Sequence, residues 1–334
     1  MSDVTDAVRG HRPWRTLALR VAGSIAMLGL LAWKAPDFSM DDLVPEWRAS
    51  TPFWLLGAAA LTFVAIVLSS MRWQAVLTAL GVRSHLGRLL NHYLAGQFVS
   101  NVLPTTIGGD VLRVSRLSRE NGQSPATFAS VVLERLTGWL VLPLLTYLGF
   151  VINPGLTHLG TATNVAIALA TGTLVLLVVV LVLVASHRFG ARFGGNEGWR
   201  RFAGAVHLGL ERLRRHPAAA ANVLFVGFAY QLSLVLAALL AAKAVGMGVA
   251  VGPTALLAFF PAVAIAQVLP IGISGLGVRE GAFALFLAPL GIDTEQAIAL
   301  GLLLYLLNLA VSLLGAPAFA FGGRRPSSAT IAPA

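Results

Sequence analysis

Apolar residues in this chain fall into long runs separated by short polar or Arg-rich connections. Six runs approach the roughly 20 residues that carry a helix across a ~30 Å hydrocarbon core. They are residues 17–33, 52–71, 126–152, 161–185, 218–242 and 296–321. Between the second and third lies a half-polar stretch, 86–117. Between the fifth and last lie two shorter pieces, 253–269 and 281–290, the latter only ten residues and too short to cross upright. The pattern predicts an all-α polytopic membrane protein.

Composition supports that class. Of 334 residues, 57% are hydrophobic and only 11% are charged. A soluble fold of this length needs roughly 25% charged residues for its surface. Cysteine is absent, so no disulfide, thiol nucleophile or Cys-ligated metal site can form. The net charge of +10 does not read as nucleic-acid binding, because the arginines lie between apolar runs and not on one soluble module.

The basic residues instead set orientation. Arg9, Arg12, Arg15 and Arg20 crowd the first run. The next connection holds Asp37, Asp41, Asp42 and Glu46 against Lys34 and Arg48. Arg72, Arg83 and Arg88 follow the second run, and 153–160 carries no charge. Seven arginines populate 186–217, and Arg324 and Arg325 follow the last run. Basic and non-basic flanks alternate, which predicts both termini in the cytoplasm and a multi-pass protein of the cell inner membrane. The first run reads as an uncleaved anchor, since no A-x-A site follows it. Residues 199–215 read as an amphipathic cytoplasmic helix at the lipid surface.

The chain also matches itself. Residues 102–113, VLPTTIGGDVLR, align with 268–279, VLPIGISGLGVR, at an offset of 166. The identities are Val102/Val268, Leu103/Leu269, Pro104/Pro270, Ile107/Ile273, Gly109/Gly275 and Arg113/Arg279. The same offset carries the second run onto the fifth and the third onto the last. By the charge rule the two halves run in opposite directions, the inverted-repeat design of many secondary transporters. The expected organisation is a cytoplasmic N-terminus (1–16) and one membrane domain (17–321), then a cytoplasmic tail (322–334). Within the domain stand repeat one (52–152), a connecting span (161–185), a basic loop (186–217) and repeat two (218–321).

Pro104 and Pro270 stop helices, and non-helical backbone in a bilayer must be packed in protein or line a wet cavity. Each broken stretch therefore reads as a re-entrant hairpin, giving six full spans plus two hairpins; the rival count is eight spans. Two breaks meeting near the midplane would present helix N-termini together with Arg113 and Arg279, a setting for an anionic group such as phosphate. Asp110, Glu134, Arg135 and Glu280 are charges at expensive positions and join the candidate site. So do Asn101, Gly108, Gly109, Ser274 and Gly275 at the breaks. Competing readings stay open: structural ion pairs for Glu134–Arg135 and Arg279–Glu280, a local pair three residues apart for Asp110 and Arg113, and amides that serve freed backbone. Arg72 and Trp73, at the end of the second run, read as interfacial anchors. No metal or phosphate-loop motif appears, Ser274 has no His–Asp pattern behind it, and no cofactor is expected.

The sequence resembles the lysylphosphatidylglycerol synthase transmembrane-region family of flippase-like membrane proteins. The resemblance is carried by Arg72-Trp73, by the element from Asn101 to Arg113, by Glu134-Arg135 with Gly138, and by the element from Leu269 to Gly281. It implies a membrane region associated with moving lipids between leaflets. The family's soluble synthase domain has no counterpart here, so lysyl transfer is not expected and the chain reads as no enzyme. The expected function is translocation of an anionic or polar-headgroup lipid, a phospholipid or a polyisoprenoid phosphate. The alternative is a non-transporting membrane subunit that supports a lipid-modifying enzyme or glycosyltransferase. An enzyme acting on prenyl phosphate is disfavoured by the lack of an Asp-rich metal motif. A second copy of the chain or a partner enzyme is a further candidate associate.

Overall fold

A computed structural model describes residue 29 and residues 47–102, 108–185, 197–248, 251–268 and 275–322. Every regular element among them is helical. The elements are α1 (Thr51–Ala79), α2 (Leu86–Val102), α3 (Gly108–Asn121), α4 (Ser124–Ile152), a 3-10 turn (Pro154–His158), α5 (Thr161–Ala185) and α6 (Glu197–Arg215). There follow α7 (Pro217–Ala244), α8 (Pro253–Ala266), α9 (Val278–Leu287), a 3-10 turn (Ala288–Leu290), α10 (Thr294–Ser312) and α11 (Gly315–Phe321). α1, α4, α5, α7 and the α10–α11 stretch are long and apolar enough to cross a membrane, so the protein is a polytopic helical membrane protein. The expected run 17–33 lies outside the described residues, apart from Gly29.

Proline opens α1, α4, α7 and α8, at the turn where its missing N–H costs nothing. Three boundaries differ from the hydropathy reading. α1 continues eight residues past Met71, because nothing breaks the helix before Gly81. The last run is interrupted at Leu313–Leu314 into α10 and α11. α9 begins at Val278, which puts Arg279 and Glu280 in its first turn.

The helices recur at the offset seen in the sequence. Adding 166 to α1, α2, α3 and α4 reproduces the ends of α7, α8, α9 and α10–α11 to within four residues. The equivalent helices α1 and α7 pack along each other in opposite directions. Lys243 lies over Trp54, Leu240 reaches Gly57, and Arg72 lies over Tyr230. Further packing is exchanged between the halves. Gly149 of α4 abuts Ala258 of α8, where an added Cβ would lie 2.5 Å from the Ala258 nitrogen. Its counterpart Gly315 abuts Leu94 and Phe98 of α2. Antiparallel equivalent helices with exchanged partners are the geometry of a two-fold relation between the halves.

α2 and α3 return on each other as an antiparallel hairpin. Gly96 faces Gly109 near the turn, and Arg88 and His92 face Glu120 at the open end. α8 and α9 do the same, with Phe259 stacked on Phe286 at 5.3 Å. At 1.5 Å per residue, the ten residues of α9 rise about 15 Å, half of the hydrocarbon core. The turns of both hairpins, including Pro104 and Pro270, lie outside the described residues. A core of Phe259, Phe283, Phe286 and Leu300 fills the second half. Trp73, Leu77, Leu89 and Leu117 fill the first.

Candidate functional site

Glu134 sits on α4 with 1% of its surface exposed, and four side chains converge on it. Arg72 Nη2 donates to Oε1 at 3.2 Å, as do the Tyr93 hydroxyl at 3.2 Å and the Ser69 hydroxyl at 3.3 Å. Arg113 Nη2 donates to Oε2. Ser69, Arg72 and Trp73 share one face of α1, at spacings of three and four residues. The Arg113 guanidinium is held between the rings of Trp73 and Tyr93, 4.3 and 4.2 Å from their centroids. Trp73 is fixed in turn by a 2.8 Å bond from its indole nitrogen to Ser130 Oγ. Gly138, one turn beyond Glu134, leaves room for Arg72; a Cβ there would lie 3.0 Å from Nη1.

The neighbouring Arg135 points elsewhere, as adjacent helix positions must. It grips Asp110 of α3 with two parallel hydrogen bonds, Nε to Oδ2 at 3.0 Å and Nη2 to Oδ1 at 2.9 Å. Asp110 also stands 3.6 Å from Arg113. Three guanidinium groups thus face two carboxylates, and the network keeps one positive charge in excess. Arg72 Nε and Nη1 and Arg113 Nε are buried without hydrogen-bond partners.

A second arrangement begins α9. Gly277 adopts φ 85°, a left-handed conformation that suits glycine, and its N–H donates to Glu280 Oε2 at 2.6 Å. Arg279 donates to Glu280 Oε1 from Nε at 3.2 Å and from Nη2 at 3.0 Å. The positive end of the helix is therefore already neutralised by the chain's own carboxylate. The Arg279 guanidinium lies 5.3 Å from the centre of the Tyr305 ring.

Between the halves is a cavity of about 210 Å³. Thr62 of α1, Tyr93 and Gln97 of α2, Tyr230 of α7, Gln267, Arg279 of α9 and Asn308 of α10 supply its polar wall; Ile66, Phe260 and Leu304 are among its apolar residues. Asn308 ties two amides together, accepting from Gln97 at 3.3 Å and donating to Asn101 at 3.4 Å.

The structure thus brings Asp110, Arg113, Glu134 and Arg135 into one network, and Arg279 and Glu280 into another. Arg113 and Arg279, expected from the sequence to share one anion, stand differently. Arg113 is enclosed by Glu134 and two aromatic rings, and Arg279 alone of the two lines the cavity. The pairing of Asp110 with Arg113 is secondary to its bidentate bond with Arg135. Arg72 and Trp73, read from the sequence as interfacial anchors, are buried within the helix bundle, 4% and 0% exposed. Asn101 belongs to the amide chain. Gly109 packs against Gly96 and Ser100, with Gly108 beside it at the start of α3. Gly275 packs against Gln267, and Ser274 lies outside the described residues. Ser69, Tyr93, Tyr230 and Tyr305 escaped sequence reasoning. Their only advance signal was polarity within or beside otherwise apolar helices.

A family model described as "Lysylphosphatidylglycerol synthase TM region" matches residues 17–315. Among curated proteins, "Glycosyltransferase AglD" of Haloferax volcanii is 26% identical over 354 aligned positions. The alignment covers 91% of this chain but 56% of that protein, so the chain spans little more than half of its relative's length. No solved structure matches.

Proposed function

The chain belongs to the lysylphosphatidylglycerol synthase transmembrane-region family, and on that premise we propose that it moves an anionic or polar-headgroup lipid between leaflets of the cell inner membrane, with both termini cytoplasmic. The observation that carries this reading is the central cavity. It lies between antiparallel halves and is walled by both, and it sets one arginine among amides and tyrosine rings. Its 210 Å³ suits a headgroup and leaves the acyl chains in lipid. With Nε and Nη2 committed to Glu280, Arg279 keeps Nη1 outside that pair for a phosphate oxygen. Amides both donate and accept, so Gln97, Gln267 and Asn308 serve the rest of the headgroup.

Vesicles carrying the protein and a fluorescent phosphatidylglycerol test it, with a membrane-impermeant quencher reporting lipid that reaches the outer leaflet. Translocation above that of protein-free vesicles is expected. Arg279→Gln should lower its rate about tenfold or more, the worth of a hydrogen bond to a charged group; because it leaves buried Glu280 without its cation, the double variant Arg279→Gln/Glu280→Gln, matched in unfolding temperature to the wild type, should show the same loss. Wild-type protein that moves no lipid would sink the translocase reading. It would leave the second one, a membrane subunit supporting an enzyme on lipid-linked substrates, which the glycosyltransferase named among the relatives favours. In that reading α6, seated on α4 through Gly209 and Leu133, offers Arg212, Arg214 and Arg215 for docking.

A further inference from the structure

A second hollow, about 620 Å³, runs along the outer side of the helix bundle between α3, α4 and α5. It adjoins another of about 370 Å³ between α4, α5 and α8, and Trp139 and Leu176 line both. Val111 and Leu176, 60% and 51% exposed, typify its apolar wall. Among the described residues, its charged lining residues are Asp110 and Arg135.

Arg135 is the anomaly. Its side chain is 53% exposed, yet it stands eleven residues into α4, about 16 Å along a helix that rises about 44 Å in all, and so inside a ~30 Å core and not at the helix end. A guanidinium facing hydrocarbon at that depth is costly unless something polar faces it. Asp110 meets part of the need. However, Asp110 also serves Arg113, and Glu134 is surrounded by Arg72 and Arg113, so the network remains one negative charge short. Among the described residues no further carboxylate lines the groove. An anion with an apolar body would match both the excess positive charge and the apolar wall.

We propose that this lateral groove is a binding site for an anionic phospholipid, its phosphate on Arg135 and an acyl chain along Val111, Trp139 and Leu176. Asp110 links Arg135 to Arg113, Glu134 links Arg113 to Arg72 and Tyr93, and Tyr93 lines the central cavity. The groove is thus joined to the cavity by a continuous ladder of charged and hydrogen-bonded groups. As the loading site of the translocase it rests on the function proposed above, but its occupancy is measured without transport.

Trp139 is a built-in reporter. The full chain is reconstituted in mixed phosphatidylglycerol and phosphatidylcholine vesicles in which one lipid or the other carries brominated chains. The share of fluorescence due to Trp139 is the difference between wild type and Trp139→Phe. Brominated phosphatidylglycerol should occupy the groove about fivefold in preference to brominated phosphatidylcholine. Arg135→Gln should bring the two lipids to parity. Asp110→Asn, which raises the excess charge and keeps the groove, should strengthen the preference. Excess inorganic phosphate should not displace the lipid. Parity in the wild type, a preference that survives Arg135→Gln, or absence of quenching by either lipid would each overturn the proposal; displacement by phosphate would make the site one for the free ion. Arg279→Gln should keep the preference while losing translocation, so failure of the groove and failure of the transport reading give different results.

Discussion

The Arg72 guanidinium lies 3.2 Å from Oε1 of Glu134, 62 residues away in the chain, and both side chains are buried. This contact joins α1 to α4, and Arg113 brings α3 to the same carboxylate. One acid therefore organises three helices of the first half. Opposite charges attract strongly where water is excluded, but burying them costs several kcal/mol each, so an intact network is worth little net and a broken one is costly.

Glu134→Gln is accordingly expected to destabilise the protein by about 3–5 kcal/mol, because two buried guanidinium groups lose their shared anion. Adding Arg72→Met should recover part of that loss by removing one of the stranded cations. Unfolding curves of Glu134→Gln, Arg72→Met and the double variant in detergent check both statements. A double variant as unstable as the sum of the single ones would mean that the residues act independently.

Close approach at the turn of the first hairpin makes Gly109→Ala damaging. Its added methyl would run into the Gly96 carbonyl and the Ser100 hydroxyl. Separating α2 from α3 should cost about 1–3 kcal/mol, as overpacking does. Gly87, with nothing within 4 Å of an added Cβ, is the control, and Gly87→Ala should leave the melting temperature nearly unchanged.

The open end of the same hairpin should respond to pH. His92 is 2% exposed, with Nε2 3.0 Å from Glu120. Burial lowers its pKa below the ordinary value, against the opposing pull of Glu120, with Arg116 and Arg88 adding to the lowering. The folded state thus favours neutral imidazole. Stability is fully present above the unfolded pKa of ~6.5 and falls as pH drops from there toward the depressed folded value. Melting temperature should therefore fall between pH 7.5 and 5.5, and His92→Gln should flatten that slope.

Orientation can be read directly, because the chain contains no cysteine. A cysteine replacing Ala49, just before α1, should react with an impermeant maleimide in intact cells. One replacing Gly204, exposed on α6, should react only after permeabilisation. Labelling of the second site from outside would reverse the proposed topology.

Much of this architecture was legible because hydropathy and the self-match at an offset of 166 both report helices that span or half-span a bilayer. Proline at helix starts sharpened the boundaries. Arg72 shows what was not legible. A charge at the end of an apolar run reads as the membrane surface, but α1 continues to Ala79 and the charge is matched by Glu134. Sequence spacing also suggested Arg113 as Asp110's local partner, although two donors from Arg135 on another helix satisfy the acid better. Repeat symmetry paired Arg113 with Arg279 but did not reveal that the halves had diverged around them. The position equivalent to Glu134 is Leu300, so only one of the two arginines can have a carboxylate there.

That divergence gives the two hairpins unequal freedom. Arg279 and its acid are consecutive residues of one short helix, so a rigid slide of α9 carries the whole ion pair with it and separates no charge. Arg113 and Glu134 belong to different helices, and any displacement of α3 against α4 must pull them apart in a medium that screens poorly. In the transport reading proposed above, this difference makes the first hairpin the stator and the second the part that travels. A protein with two-fold architecture thereby acquires a preferred moving side.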